Sequence, residues 1–416
     1  AAMDFLRSTR SPWARRTIGR RREPPPTAPH RSRPKRRTQP ASALLSVETV
    51  CSAAYWRQLC PELHVGDAAF CAQCAALTGG ASTSEELDAL RARLIEDGYL
   101  TTAPSAELAA AVSLKAVREG MRRLVAAGWP ATLILLYDEA WVIAHHYGAL
   151  VSAACGGANV MSFDMLAWLI VPSEGHAGFA PHRDRQPSDV RGSFHGDGSP
   201  KYCTAWVALG DADPDTSCLY LIPRGVDLGY DAGDDDAEGA EDPLVALLRS
   251  DRAVQSIRAC PLPAGAAVLF SHRVMHWGSR GHPSCTTPRF SLSFGCADPS
   301  FERPYLKAAA SHLPFPRPAV RAALAAAQLI NYHERFAFGA PLLSLFGRVF
   351  RAHRAEFTAE YAHKTAAELK SAAEDRARAA AASAVAAAGG VGGGGGGGGV
   401  GGGGEGGGGD GGGGDG

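Results

Sequence analysis

Beyond about residue 45 the chain first carries apolar residues at helical spacing. Leu87, Leu90 and Leu94 follow a Thr83–Glu86 pair spaced as a capping box, and Gly98 stops the run, which predicts one helix. Val117, Met121 and Leu124 predict a second, from about Ser105 to Gly128, and a third is predicted over Tyr137–Ala154. These stripes imply core faces and no chemistry. From Asn159 the period shortens. Val160–Val171 reads as a strand, and further strands are predicted at Cys203–Leu209, Cys218–Ile222, Ala266–Ser271 and Arg289–Phe294. Clusters of Pro, Gly and Asp separate them. After Pro316 helical patterns return over Ala322–Leu329, Leu342–Phe350 and Thr365–Ala388. The fold class this predicts is α+β: a jelly roll of the cupin-like kind, flanked by N- and C-terminal helices.

Charge and composition trim the ends from this picture. Residues 1–40 hold twelve Arg or Lys against Asp4 and Glu23, while the whole chain balances 42 basic against 42 acidic residues. An Arg-rich, acid-poor segment over 1–44 reads as an organellar transit peptide or as a basic disordered arm. It lacks the interleaved aromatics of a nucleic-acid surface, so no nucleic-acid partner is expected. Residues 386–416 are almost pure glycine, which has maximal backbone entropy and nothing to bury, so disorder is expected there. Residues 45–385 remain for one large domain with helical extensions and its β-core at about 159–296. No apolar run reaches the eighteen or so residues of a membrane span, so a soluble, intracellular protein is expected.

The ten cysteines follow no disulfide framework, which fits reduced thiols. Cys71 and Cys74, with Cys51, Cys60 and His64 upstream, could form a small zinc site, but buried thiols on a helix turn are the plainer reading. The acidic stretch Asp231–Asp242 reads as a solvated loop rather than a lid.

Pro181-His182-Arg183-Asp184 carries the chemistry. Residues i and i+2 of an extended chain share a face, so His182 and Asp184 can converge on one metal. Two histidines and one carboxylate with open positions are the signature of non-haem Fe(II) oxygenases, and His276, just past Ala266–Phe270, supplies the third ligand. A second such pair, His195 and Asp197, lies in a glycine-rich stretch that offers less rigid support. His272 is four residues before His276, but Arg273 stands where a zinc protease needs its Glu, so His272 reads as packing. Downstream, Arg289 and Ser291 share a strand face. A fixed guanidinium suits one carboxylate of a small diacid, with Ser291 adding a hydrogen bond.

These motifs resemble the phytanoyl-CoA dioxygenase family of 2-oxoglutarate dioxygenases. The likeness runs through "LIEDGYL" at 94–100, "PHRDR" at 181–185, "YCTAWVAL" at 202–209, "SCLYLIPRG" at 217–225, "AGAAVLFSHRVMHWGS" at 264–279 and "PRFSLSF" at 288–294. The resemblance implies a double-stranded β-helix with flanking helices. It implies Fe(II) on His182, Asp184 and His276, 2-oxoglutarate on Arg289, and Trp206 lining its site. It also implies hydroxylation of a small-molecule or lipid C–H bond, with O2 consumed and succinate and CO2 released. Related halogenases replace the carboxylate with a small residue, so Asp184 favours hydroxylation. Where the family often has an Asn-Gly turn and "PGSH", this chain has Thr216-Ser217-Cys218 and Pro223-Arg224-Gly225-Val226, which leaves the substrate open. Nothing resembles a coenzyme A signature. Two other readings stand beside this one: a non-catalytic barrel used as a scaffold, and a cupin-type metalloenzyme that has no need of Arg289.

Overall fold

The computed structural model describes residues 46–74, 77, 83–234, 243–307, 315–336 and 338–389. The basic segment 1–44, residues 235–242 of the acidic stretch and the glycine tail from 390 lie outside the described residues. Two compact units divide the chain, Ala1–Ala372 and Ala373–Gly416. The site lies wholly in the first; the described part of the second is the end of the helix Ala359–Gly389.

Local sequence signals set the first helices. Thr83 Oγ1 accepts from Glu86 N (3.1 Å), Glu86 Oε2 accepts from Thr83 N (3.1 Å), and Gly98 ends the helix Ser84–Asp97 at φ 79°. The helix expected over 105–128 is two, Ala106–Ala111 and Leu114–Ala126. Ser113 accounts for the break, since its hydroxyl accepts from Ala116 N and starts a new helix. The helix Asp138–Ala154 is buried over most of its length. Its Asp138 carboxylate accepts from Gly66 N (3.0 Å) and Asp67 N (2.8 Å) and pairs with buried Arg321 of the helix Pro318–Asn331. A buried charge needs such partners, and these tie the N-terminal segment to the C-terminal helices.

Among the described residues eight strands follow the helical start: β1 (Tyr99–Thr101), β2 (Val160–Ile170), β3 (Tyr202–Ala208), β4 (Leu219–Ile222), β5 (Arg258–Cys260), β6 (Ala267–Ser271), β7 (Met275–Gly278) and β8 (Arg289–Ala297). They pair antiparallel into a five-stranded sheet ordered β1-β6-β3-β8-β2 and a three-stranded sheet ordered β5-β4-β7. β1, β5 and β7 are not among the expected strands, because each is too short to show a period.

Alternation along the strands sorts side chains into two cores. Cys203, Ala205 and Val207 of β3 pack with Leu269, Leu292 and the helices. Trp206 and Ala208 point the other way and pack with Val268 and Phe270 against Leu219 and Leu221 of the small sheet. This second, inward core holds the site. On β2 the register slips between Met161 and Met165, where Phe163 takes a left-handed φ of 68°. A bulky residue there is strained, and the bulge re-aims Asp164. Among the described residues no helix is long and apolar enough to cross a membrane.

Candidate metal centre

The ligand loop and β7 meet by a close approach of two glycines. A Cβ on Gly178 would sit 2.5 Å from Gly278 Cα, so neither backbone tolerates a side chain here. Gly278 N donates to Phe179 O (3.0 Å), and His182 and His276 exchange backbone hydrogen bonds in both directions at 3.0 Å. That bridge brings the two imidazoles together, tilted at 49° with ring centroids 4.3 Å apart.

Asp184 closes the triangle. Its Oδ1 lies 3.5 Å from His182 Nε2 and 3.6 Å from His276 Nε2, and the three ligand atoms all fall within 4.8 Å of one another. His182 Nδ1 donates to Ala180 O (2.8 Å) and His276 Nδ1 donates to Val274 O (2.9 Å). A carbonyl only accepts, so both Nδ1 atoms carry a proton, and both Nε2 atoms, turned toward Asp184, are the nitrogens placed for a metal. Burial first, then His182, pushes the His276 pKa down to about 4, against the pull of Asp184, so its imidazole is neutral near pH 7. Burial alone would raise the Asp184 carboxyl, but His276, His182 and the Thr204 hydroxyl hold it well below the usual carboxylate range. Two imidazole Nε2 atoms beside a carboxylate are a donor set for a divalent transition metal. The expected triad is thus brought together.

Sequence reasoning missed what holds it. Thr204 of β3 donates its hydroxyl to Asp184 Oδ2, fixing which oxygen is left for a metal. Thr204→Val is expected to keep thermal stability while weakening iron retention by roughly 10–100-fold, read by competition with a chelator. The two arginines flanking Asp184 go to separate pairs of carboxylates. Arg183 forms a double fork on Asp227 (2.5 and 2.9 Å) and Asp234 (2.7 and 3.0 Å). Arg273 donates to Gly229 O (2.6 Å) and also lies 3.5 Å from Asp234. Asp234 is therefore buried between two guanidiniums; this corrects the solvated reading for that end of the acidic stretch. Arg185 grips Glu302 (2.5 and 2.8 Å) and Asp164 (2.9 Å) and stacks 4.2 Å from the Tyr202 ring. No local signal links these residues, since Arg185 and Glu302 are 117 positions apart.

The rival ligands have other partners. His195 Nε2 meets Asn159 Oδ1 (3.1 Å), and Asp197 accepts from Ser199 N (2.9 Å) and its hydroxyl (2.7 Å). His272 is buried, donating from Nδ1 to Tyr202 O (3.1 Å), with Nε2 2.9 Å from Ser193 Oγ. Burial, then Arg273, pushes its pKa down to about 3. Cys71 and Cys74 are buried on the helix Ala68–Cys74, while Cys51 meets His353 Nε2 (3.6 Å), Cys60 meets Gly120 O (3.8 Å) and His64 meets Glu139 (2.7 Å). Cys51, Cys60 and His64 thus go to separate partners.

Arg289 and Ser291 lie on the inward face of β8 and are 2% and 0% exposed. Arg289 donates once, from a terminal nitrogen to Ser217 O (2.9 Å), and its guanidinium lies 5.3 Å from the centre of the Trp206 ring. Its Nε and Ser291 Oγ are buried without a hydrogen-bond partner, and among the described residues no carboxylate pairs with this guanidinium. Burial lowers the Arg289 pKa to about 10, which leaves it charged near pH 7. A buried cation and hydroxyl left open in this way call for an anionic acceptor.

Ser217 supports Arg289 at a backbone cost. It takes φ 79°, where the family's turn often has glycine, and its hydroxyl donates to Ser279 O. Ser217→Val is expected to lower stability by about 2–3 kcal/mol, because a β-branched residue fits this region worst. Ser217→Gly should stay within about 1 kcal/mol of the parent, since relief of strain offsets the lost hydroxyl bond. Denaturant melts of the pair check this.

A profile of the phytanoyl-CoA dioxygenase (PhyH) family matches residues 74–285, half of the chain. The chain belongs to the phytanoyl-CoA dioxygenase family. It is accordingly an oxygenase of the non-haem iron, 2-oxoglutarate-dependent class, with iron as cofactor and 2-oxoglutarate as co-substrate. No curated protein matches it. Among solved structures it is similar to the non-haem alpha ketoglutarate dependent epimerase SnoN from nogalamycin biosynthesis, at 22% identity and TM-score 0.38, covering 52% of this chain and 84% of that one. It is also similar to AviO1 from Streptomyces viridochromogenes Tue57, at 20% identity and TM-score 0.36, covering 53% and 98%. The apoform of EctD from S. alaskensis matches at 17% identity and TM-score 0.37, covering 55% and 84%.

Proposed function

We propose that the family member described here hydroxylates a C–H bond of a small-molecule or lipid substrate, holding Fe(II) on His182, Asp184 and His276. The observation that carries this reading is the pair of Nε2 atoms, freed by their Nδ1 bonds to Ala180 and Val274, facing one carboxylate oxygen. The two sheets and their inward core fit a double-stranded β-helix, and we take residues 45–385 as the dioxygenase domain.

Arg289 and Ser291 would bind the far carboxylate of 2-oxoglutarate, with Trp206 forming the wall between them and the metal end. Thr204 and Trp206 are two residues apart on one strand face, so roughly 7 Å separates the Asp184 contact from the Arg289 contact along β3. That span suits a five-carbon diacid. The bound iron would supply O2 activation coupled to oxidative decarboxylation of 2-oxoglutarate to succinate and CO2. The protein's part is to fix the ligands, orient the diacid and keep the guanidinium dry, where its attraction for a carboxylate is strongest. An unpaired buried Arg289 favours this over a cupin-type enzyme that uses no diacid.

Anaerobic apo-protein mixed with Fe(II) and 2-oxoglutarate tests the proposal through the metal-to-ligand charge-transfer band. The parent should show it, His276→Ala should abolish it and Arg289→Ala should weaken it. A folded, iron-loaded parent without the band would overturn the reading.

A further inference from the structure

We propose that Tyr332–Phe336, downstream of the family match, forms one wall of the substrate subsite, and that the substrate is an organic acid with a flat apolar body whose acid group is held by Arg335. The inference rests on the metal-centre reading above and adds the substrate class to it.

Strand register places the wall. Trp168 of β2 lies opposite Ser291, and Ser291 lies opposite Ala208. Directly opposed residues share a face, so Trp168 belongs to the inward row that holds the co-substrate residues. Because β2 is an edge strand, side chains rather than a further strand cover its flank. Phe336 does so, with its ring stacked on Trp168 at 4.5 Å and 9°. Phe179 meets Trp168 edge-on at 5.0 Å and lies 5.4 Å from the His182 ring. A continuous aromatic track therefore runs from a metal ligand to the segment after the helix Pro318–Asn331.

Arg335 supplies the charge. Its side chain is exposed, and its guanidinium lies 5.2 Å from the centre of the Phe179 ring, so one ring separates it from His182. Among the described residues no carboxylate pairs with it, whereas Arg183 and Arg185, on the same loop as His182, are saturated by carboxylates. Tyr332 completes the wall, 6.2 Å from Phe179, with its hydroxyl 3.3 Å from both Asp164 oxygens. Asp164 is the residue that the strained Phe163 turns inward, and it engages Arg185, so the wall is braced against the ligand loop. Rings that stack with a free guanidinium at their edge recognise flat anions, by dispersion along the body and charge-assisted bonds at the acid.

The test uses 2-naphthoate and its neutral counterpart, 2-naphthalenemethanol, titrated calorimetrically into anaerobic protein loaded with Fe(II) and 2-oxoglutarate. Naphthoate should bind the parent more tightly than the alcohol and shift the charge-transfer band. Arg335→Gln should weaken naphthoate about tenfold, leave the alcohol unchanged and keep the parent's melting temperature, and Arg335→Lys should restore part of the loss. Phe336→Ala should weaken both probes alike. Equal naphthoate affinity in the parent and Arg335→Gln, or no naphthoate binding, would overturn the proposal. Absence of the charge-transfer band would instead overturn the metal-centre reading, and the naphthoate titration, repeated without iron, still decides on Arg335.

Discussion

Asp184→Ala is expected to consume no 2-oxoglutarate and no O2 at iron concentrations that saturate the parent. Among the described residues its carboxylate is the one negative charge within reach of both Nε2 atoms. Without it only the two imidazoles remain, and the site loses both a ligand and the charge that offsets the metal. The loss should exceed the roughly 10–100-fold typical of residues one shell further out, such as Thr204. Stability should hold, since Arg183 and Arg185 keep their own carboxylates and the loop stays anchored. An oxygen electrode with succinate detection reads the first claim and a melting curve the second. Unchanged turnover in a folded variant would remove Asp184 from the metal site.

Arg289→Ala should move binding and stability in opposite directions. The diacid loses two charge-assisted bonds, each worth about 1.5–3 kcal/mol, so its Kd should rise by at least about a hundredfold. The free protein loses a buried cation that no carboxylate offsets, so its melting temperature should rise or hold. Arg289→Lys should recover only part of the affinity, because an ammonium lacks the planar fork. Titration of the charge-transfer band and thermal melts give the two readouts. A lowered melting temperature with unchanged Kd would make Arg289 a structural tie to Ser217 instead.

What was legible in the chain beforehand follows from range. Thr83 with Glu86, and Gly98, declare a helix within fifteen residues, and short apolar runs between clusters of Pro, Gly and Asp declared β3, β6 and β8. His182 and Asp184 were legible because i and i+2 share a face, and Arg289 with Ser291 by the same rule. Thr204 was not, because only the three-dimensional meeting of β3 with the ligand loop gives its hydroxyl a partner. Asp234 was misread because acidic neighbours imply solvent unless distant cations are known, and Arg183 and Arg273 lie about fifty and forty residues away. The break at Ser113 was written locally and overlooked: a serine before Leu114 is an N-cap.

The double anchorage of the ligand loop has a consequence for anyone moving this chemistry elsewhere. Transplanting the four residues His182–Arg185 onto another barrel would carry two guanidiniums into its interior without Asp227, Asp234, Asp164 or Glu302 to receive them. Each uncompensated charge would cost several kcal/mol, enough to expel the loop before any metal arrived. The portable module is therefore the loop together with its four acidic receptors, drawn from positions spread over well over a hundred residues.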